Sequence, residues 1–364
     1  MPRMEGLRLE RVRASRQYRD GTFHNTSGVG PSLQGGSPLS VMGDYLFRGA
    51  ARAPRAPLPV ESPLATWARR GSSGLRVTWL GHSTLLIEVD GAVILTDPVF
   101  GERASPVSFA GARRFHPVPA RIDQLPALDA VLLSHDHYDH LCASSMRELA
   151  GLKVPVITSL GVGARLEALG VAPQLITELD WWEEHTLAGG KLSFAATPAQ
   201  HFSGRSLTDR NRTLWSSWVI QSERRRLFFS GDTGLTSEFA SIGQRFGKFD
   251  LVMLEIGAWH PAWGSIHLGP ANALAAFEQL GGGTLLPIHW GTFDLALHAW
   301  NEPADTLLGL AEPAGARVLT PLLGRPFEPE HVAGPSPWWR GAAASPGVRI
   351  APDPAPKIGV LSRK

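Results

Sequence analysis

The 364-residue chain reads as an α/β protein with more than one sheet layer. Three observations predict this. Short apolar, β-branched runs recur from residue 75 onward, and helix-like patterns sit between the later ones. The 39 glycines and 29 prolines demand many turns and long connections, which excludes a helical bundle. With 43% hydrophobic residues and a formal net charge of only +2, the chain can bury a large core, which excludes a disordered protein.

Residues 1–73 form a lead-in rich in Pro, Gly and Arg, an N-terminal arm that either wraps the main domain or stays partly disordered. Its arginines (Arg8, Arg11, Arg13, Arg16 and Arg19) trace no amphipathic face. A solvated arm is therefore expected ahead of one that touches an anionic bilayer. The main domain is expected over 74–330. Its first strands fall at 76–80, 85–89 and 93–96, with Asp90-Gly91 as the hairpin signal between the second and third. Further strands are predicted at 130–134, 154–158, 191–196, 214–220, 227–230, 251–256 and 284–288. Helices are predicted at 143–150, 162–169, 237–246 and 270–280. Pro270 suits the first turn of the last of these, and the glycines at 281–283 end it. From 331 to 364, Pro and Gly dominate a tail from which no chemistry is expected.

Cys142 is the only cysteine, so neither an intrachain disulfide nor a multi-thiolate zinc site can form. Six arginines and three acids occupy the first 20 residues, where a signal peptide would place an apolar run. The longest weakly charged stretch, 256–293, is broken by Gly, Pro and three histidines and is no membrane span. A cytoplasmic location is expected, with peripheral contact to a membrane as its extension. The balanced charge argues against a nucleic-acid partner, and oligomeric state is not legible.

The chemistry concentrates in Ser134-His135-Asp136-His137-Tyr138-Asp139-His140, directly after the strand at 130. Three imidazoles and a carboxylate within six residues form a set well suited to zinc. Chance yields this spacing about 10⁻³ times per shuffled chain of the same composition, so the motif is specific. Six residues cannot complete two metal spheres, and further candidates stand just past other strands: His201, Asp232 in Ser230-Gly231-Asp232-Thr233-Gly234, and His289.

This set resembles the binuclear site of the metallo-β-lactamase superfamily. The segments Val77-Thr-Trp-Leu-Gly-His-Ser-Thr, Leu95-Thr-Asp-Pro, Thr213-Leu-Trp-Ser-Ser-Trp and Ile288-His-Trp-Gly-Thr-Phe are similar to N-acylphosphatidylethanolamine phospholipases D and their bacterial relatives. The likeness runs in order from about 75 to 310. It implies a four-layer αβ/βα sandwich and two zinc ions. One ion would be held by His135, His137 and His201, the other by Asp139, His140 and His289, and Asp232 would bridge both. A hydroxide shared by the ions would attack phosphorus, with Asp139, or a water beside it, as proton relay. The resemblance also places Tyr138 and His267 against the substrate's phosphate. His82 and Asp97 are candidates to hold the ligating imidazoles from behind, although Asp97 is equally a turn cap before Pro98. Asp136 is expected to face away from the metals. Trp215, Trp218, Trp259, Trp263 and Trp290 suit a lipid groove or, more simply, the core.

The function these readings predict is a zinc phosphodiesterase acting on a phospholipid or small phosphoester. The alternative is a lactonase, or another phosphoester or amide hydrolase with a small soluble substrate, because an activated hydroxide attacks a carbonyl equally well. A binding protein that has lost catalysis is disfavoured by the presence of all seven ligands.

Overall fold

The computed structural model describes residues 2–30, 51–260 and 265–344. Helix α1 (Gly6–Ala14) is followed by a short hairpin pairing Tyr18–Arg19 with Thr22–Phe23. The domain proper opens with an antiparallel meander of β1 (Leu75–Gly81), β2 (Thr84–Val89) and β3 (Ala92–Thr96). Asp90 (φ 46°) and Gly91 (φ 85°) make the turn between β2 and β3 in the left-handed region that an Asp-Gly pair tolerates. Then follow β4 (Ala130–Leu133), α2 (Ala143–Ala150), β5 (Val156–Ser159), α3 (Gly163–Ala168) and β6 (Ile176–Leu179). These three strands extend the sheet in parallel from β3.

The second sheet repeats that plan. Strands β7 (Glu184–Thr186), β8 (Leu192–Thr197), β9 (Ser217–Ser222) and β10 (Arg226–Phe229) run antiparallel. After α4 (Glu238–Phe246), β11 (Leu251–Glu255), α5 (Gly269–Gln279) and β12 (Leu285–Ile288), the two added strands are parallel to β10. Helix α6 (Glu302–Ala311), β13 (Pro326–Phe327) and α7 (Trp338–Ala344) complete the described chain. Spatial order is β6-β5-β4-β3-β2-β1-β13 in one sheet and β7 through β12 in sequence in the other.

Alternation along the first sheet fixes the layers. Val77, Trp79, Leu85, Ile87, Ile94, Ala130 and Leu132 face inward, against Phe194, Trp218 and Ile220 of the second sheet. Leu80, Leu86, Leu95, Val131 and Leu133 face outward, onto Met146 and Leu149 of α2 and Leu166 of α3. The second sheet is apolar on both faces, as β11 shows in its first four residues, all fully buried. Its outer side is covered by Phe239 and Ile242 of α4, Phe277 of α5 and Leu307 of α6. The architecture is the four-layer αβ/βα sandwich. Each such buried side chain contributes about 1.5–3 kcal/mol.

The described flanks pack on the domain, as the wrapping alternative for the lead-in expected. The described part of the lead-in is no solvated arm. Val12 and Phe23 pack on Leu160, Trp181, Leu214 and Trp215. Arg8 binds Glu178 and, at 2.7 Å, Glu167, while Arg11 donates to the Glu178 carbonyl at 2.6 Å. Arg13, Arg16 and Arg19 do remain exposed. Beyond residue 330, Trp338 stacks on Trp290, Trp339 meets the same ring edge-on, and Trp339 is fully buried. Strand 214–220 begins only at Ser217, because Leu214 and Trp215 turn aside to the α1 cluster.

Candidate metal centre

The strand ends converge at one edge of the sandwich. Past β4, the amides of His140 and Leu141 both bond back to the His137 carbonyl, at 3.2 and 2.8 Å, coiling residues 135–140 into a tight turn. His82 (φ 54°), Asp97 (φ 31°) and His289 (φ 63°) occupy left-handed backbone, uncommon for residues with a Cβ and concentrated at sites where strain aims a side chain. In Ser230-Gly231-Asp232-Thr233-Gly234, Gly231 has φ 53°, and a Cβ there would meet Ser134 Cβ at 2.5 Å. A Cβ on Gly234 would overlap the Ser265 carbonyl oxygen at 1.6 Å, so both glycines let the Asp232 turn press against its neighbours.

The predicted ligands fall into two sets. In the first, His135 Nε2 and His201 Nε2 lie 2.8 and 3.2 Å from His137 Nδ1, and 3.9 and 3.7 Å from Asp232 Oδ2. In the second, His140 Nε2 and His289 Nε2 lie 3.5 and 3.4 Å from Asp139 Oδ2, and each lies 3.1 Å from Asp232 Oδ1. Asp232 thus turns one carboxylate oxygen to each set. Ligands about 2.0–2.1 Å from a tetrahedral ion stand about 3.3 Å apart, and the observed spacings bracket that value. His140 Nε2, His289 Nε2 and Asp232 Oδ1 are buried and satisfied by no hydrogen bond, the state expected of atoms that serve an ion. The donor set of imidazole nitrogen and carboxylate oxygen fits zinc.

Further groups hold these rings by their other nitrogens. Asp97 Oδ2 pairs with His140 Nδ1 at 2.7 Å and accepts from Ser134 Oγ at 2.6 Å, while its Oδ1 accepts from the Ser134 amide at 2.8 Å. The Ile266 carbonyl takes His201 Nδ1 at 2.9 Å, and Ser134 Oγ meets His135 Nδ1 at 2.9 Å. Each contact leaves the opposite nitrogen facing the centre. His82 Nε2 lies 3.0 Å from Asp139 Oδ2.

The electrostatics divide along the same line. Burial, reinforced by neighbouring imidazoles, pushes His135 well below its ordinary value, and burial alone is the leading cause of the same shift at His201. These rings are neutral and ready to donate lone pairs. Burial opposes charge on His140 and His289 too, but the carboxylates of Asp232 and Asp139 outweigh it, raising His140 well above the ordinary value and His289 to about 10. The same pairings overcome burial at Asp139 and Asp232 and hold both well below the carboxylate range.

A β-lactamase superfamily domain model matches residues 93–290, which spans all seven residues of the two sets. The chain belongs to the metallo-β-lactamase superfamily. It is a metal-dependent hydrolase of that superfamily. An uncharacterised protein of Mycobacterium tuberculosis (strain H37Rv) is 43% identical over 331 residues, covering 90% of this chain and 88% of that protein. The N-acyl-phosphatidylethanolamine-hydrolyzing phospholipase D 1 of Caenorhabditis elegans is 38% identical over 251 residues, 66% of this chain and 70% of the worm protein. In fold, Igni18, a metallo hydrolase from Ignicoccus hospitalis, superposes with a TM-score of 0.53 at 23% identity, over 70% of this chain and 98% of that one.

In this metallo-β-lactamase domain the remaining predicted residues take distinct places. Tyr138 donates its hydroxyl to the Arg205 carbonyl at 2.8 Å and lies under the Arg205 guanidinium, so its hydroxyl is engaged with the 203–210 loop. His267 stands at the centre itself, its ring 5.0 Å from that of His201 and 5.6 Å from that of His289. Asp136 does face away from the ligand sets, yet it is fully buried against Arg165. Trp215, Trp218 and Trp290 belong to the core, Trp259 is half-buried against His298, and Trp263 lies outside the described residues. One residue escaped the sequence reading altogether. Glu255, the last of β11, is fully buried with its carboxylate 2.7 Å from His267 Nδ1. The only signal was an acid closing an otherwise apolar run.

Proposed function

We propose that this chain is a binuclear zinc phosphodiesterase that cleaves N-acylphosphatidylethanolamine to phosphatidic acid and an N-acylethanolamine. One observation carries the two-ion part: the two oxygens of Asp232 face separate sets of three ligands each. Bound there, two zinc ions supply an acidified water and offset negative charge on a phosphoryl group. Attack at phosphorus breaks its bond to the ethanolamide oxygen, and the departing alkoxide needs a proton. Asp139 is the proposed relay, a reading supported by its side chain being 16% exposed where those of His140 and His289 are fully buried, with His82 Nε2 3.0 Å from its carboxylate. Tyr138 lies in the same turn as Asp139 and is the residue proposed to meet the phosphate; the Arg205 guanidinium over its ring is held by the Asp136 and Leu141 carbonyls.

The lipid part rests on the likeness to the worm phospholipase D. Surface features support it. Val107 and Phe109 are exposed at the tip of the 103–113 hairpin, whose base packs with Val99 and Phe293 beside His82. Leu207 is exposed on the loop that carries Arg205. Apolar loop tips around a site, with arginines behind them, suit contact with a lipid surface. No helix among the described residues is long and apolar enough to cross a membrane.

The test is to incubate zinc-loaded protein with N-acylphosphatidylethanolamine in mixed micelles and identify products by mass spectrometry, with Asp139→Asn as control. Phosphatidic acid plus N-acylethanolamine, lost in the variant, is the expected outcome. Survival of the lipid while a soluble phosphodiester or lactone is hydrolysed would overturn the lipid assignment and favour the small-substrate alternative.

A further inference from the structure

Glu255 ends β11, the strand that lies between β10 and β12. Those two neighbours deliver Asp232 and His289 to the centre, so the middle strand places a third ionisable group between them. Glu255 is fully buried, and a carboxylate in that position is costly unless hydrogen bonds compensate it. Its contacts are specific. Oε1 accepts from the amides of Thr233 at 2.6 Å and Leu268 at 3.4 Å. Oε2 pairs with His267 Nδ1 at 2.7 Å and lies 3.9 Å from His289 Nδ1, a buried atom with no hydrogen-bond partner.

Thr233 follows the bridging Asp232, and Leu268 follows His267. One side chain therefore ties the Asp232 turn to the segment before α5 and stands 3.9 Å from the ring of His289. A residue needed only to fill this space would be apolar, as Leu251, Val252, Met253 and Leu254 of the same strand are. What a carboxylate adds is a fixed partner for an imidazole N–H. His267 has the most to gain, because its side chain is 12% exposed and spans both ligand sets, while those of His201 and His289 are 1% and 0% exposed.

We propose that Glu255 is a positioning residue of the metal centre, which fixes His267 with Nδ1 protonated, leaves its Nε2 to the site, and steadies His289 through the same oxygen. The assignment concerns the centre itself and is independent of which ester it hydrolyses.

Two readouts test it on the zinc-loaded full chain. Imidazole ¹H–¹⁵N correlation, with His267→Asn to assign the signal, reports which nitrogen of His267 carries the proton. Chelator competition reports zinc affinity. The wild type is expected to show His267 protonated at Nδ1. Glu255→Gln, nearly isosteric, offers an amide that can donate as well as accept. It is expected to give mixed tautomers and to weaken zinc binding about 10- to 100-fold, the usual effect of losing a group that orients a ligand. A wild-type His267 protonated at Nε2 alone would overturn the proposal without recourse to any variant. So would a Glu255→Gln protein with unchanged tautomer and unchanged affinity. A changed tautomer with unchanged affinity would uphold the His267 half and overturn the His289 half.

Discussion

Asp97 shows how much a single side chain carries here. Its carboxylate receives the Ser134 amide, the Ser134 hydroxyl and His140 Nδ1, all within 2.8 Å, from a backbone at φ 31°. Replacement by Ala would strand buried donors at about 1–3 kcal/mol each. Asp97→Asn keeps the shape, removes the charge and turns an NH₂ group toward one of those donors. Zinc affinity of Asp97→Asn, measured by chelator competition, is expected to fall about 10- to 100-fold, and that of Asp97→Ala at least as far, with a lower melting temperature. Wild-type affinity in both would show that His140 needs no such partner. The ligand candidates were legible at this scale because four crowd into six positions and the rest follow apolar strands. Glu255 was not. A lone acid in an apolar run has no spacing to betray it, and its partner His267 is twelve residues away and meets it only after β11 and α5 have packed. Asp97 was half legible, since a turn cap and an imidazole partner read alike until His140 is placed.

Among the elements, α3 does more than link two parallel strands. Arg165 projects from it into a buried ion triad with Asp136 and, at 2.9 Å, Asp209. Asp136 also accepts from the Gly204 amide at 2.8 Å, and Asp209 from the amides of Arg205 and Ser206 at 2.9 and 2.8 Å. One helix thereby fastens the 135–140 turn to the loop that holds Tyr138. Removing one member of a buried ion pair costs about 3–5 kcal/mol. Arg165→Ala is expected to lose that much in denaturant unfolding and to make 203–210 the first site of limited proteolysis. Cleavage elsewhere first would separate the triad from the loop. Element legibility followed apolar content only in part, since α6 buries Ala304, Leu307 and Ala311 and yet was not predicted. Helix α2 was read at its observed bounds, whereas α1 buries only Val12 and is held by ion pairs that no periodicity announces. Strands β6 and β7 escaped because they are edge strands with polar, half-exposed sequences.

For the whole molecule, the opposed imidazole shifts set a pH optimum when metal is absent. His289, raised to about 10, stabilises the fold fully below its unfolded value of about 6.5, and that contribution disappears as pH climbs toward 10. His82 is lowered to about 3, by burial first and then by His289. Its stability contribution is present above about 6.5 and is lost as pH falls toward 3. Melting temperature in chelator should therefore peak near neutrality and decline on both sides. Zinc should remove the alkaline decline, because the ion takes the place of the protons. A flat profile in chelator would contradict this account.

The two sheets share a plan, and they also share the candidate metal site. Each ligand set draws on both, His135 and His137 with His201 in one, Asp139 and His140 with His289 in the other. The chain also closes on itself late, since β13 at Pro326–Phe327 completes the edge beside β1. During synthesis the N-terminal half emerges first and can build most of its own sheet. Yet neither candidate ligand set is complete until the second half has followed, and one of them waits for residue 289. Metal loading is therefore one of the last events in the birth of this protein, a final lock on two halves that must already have met.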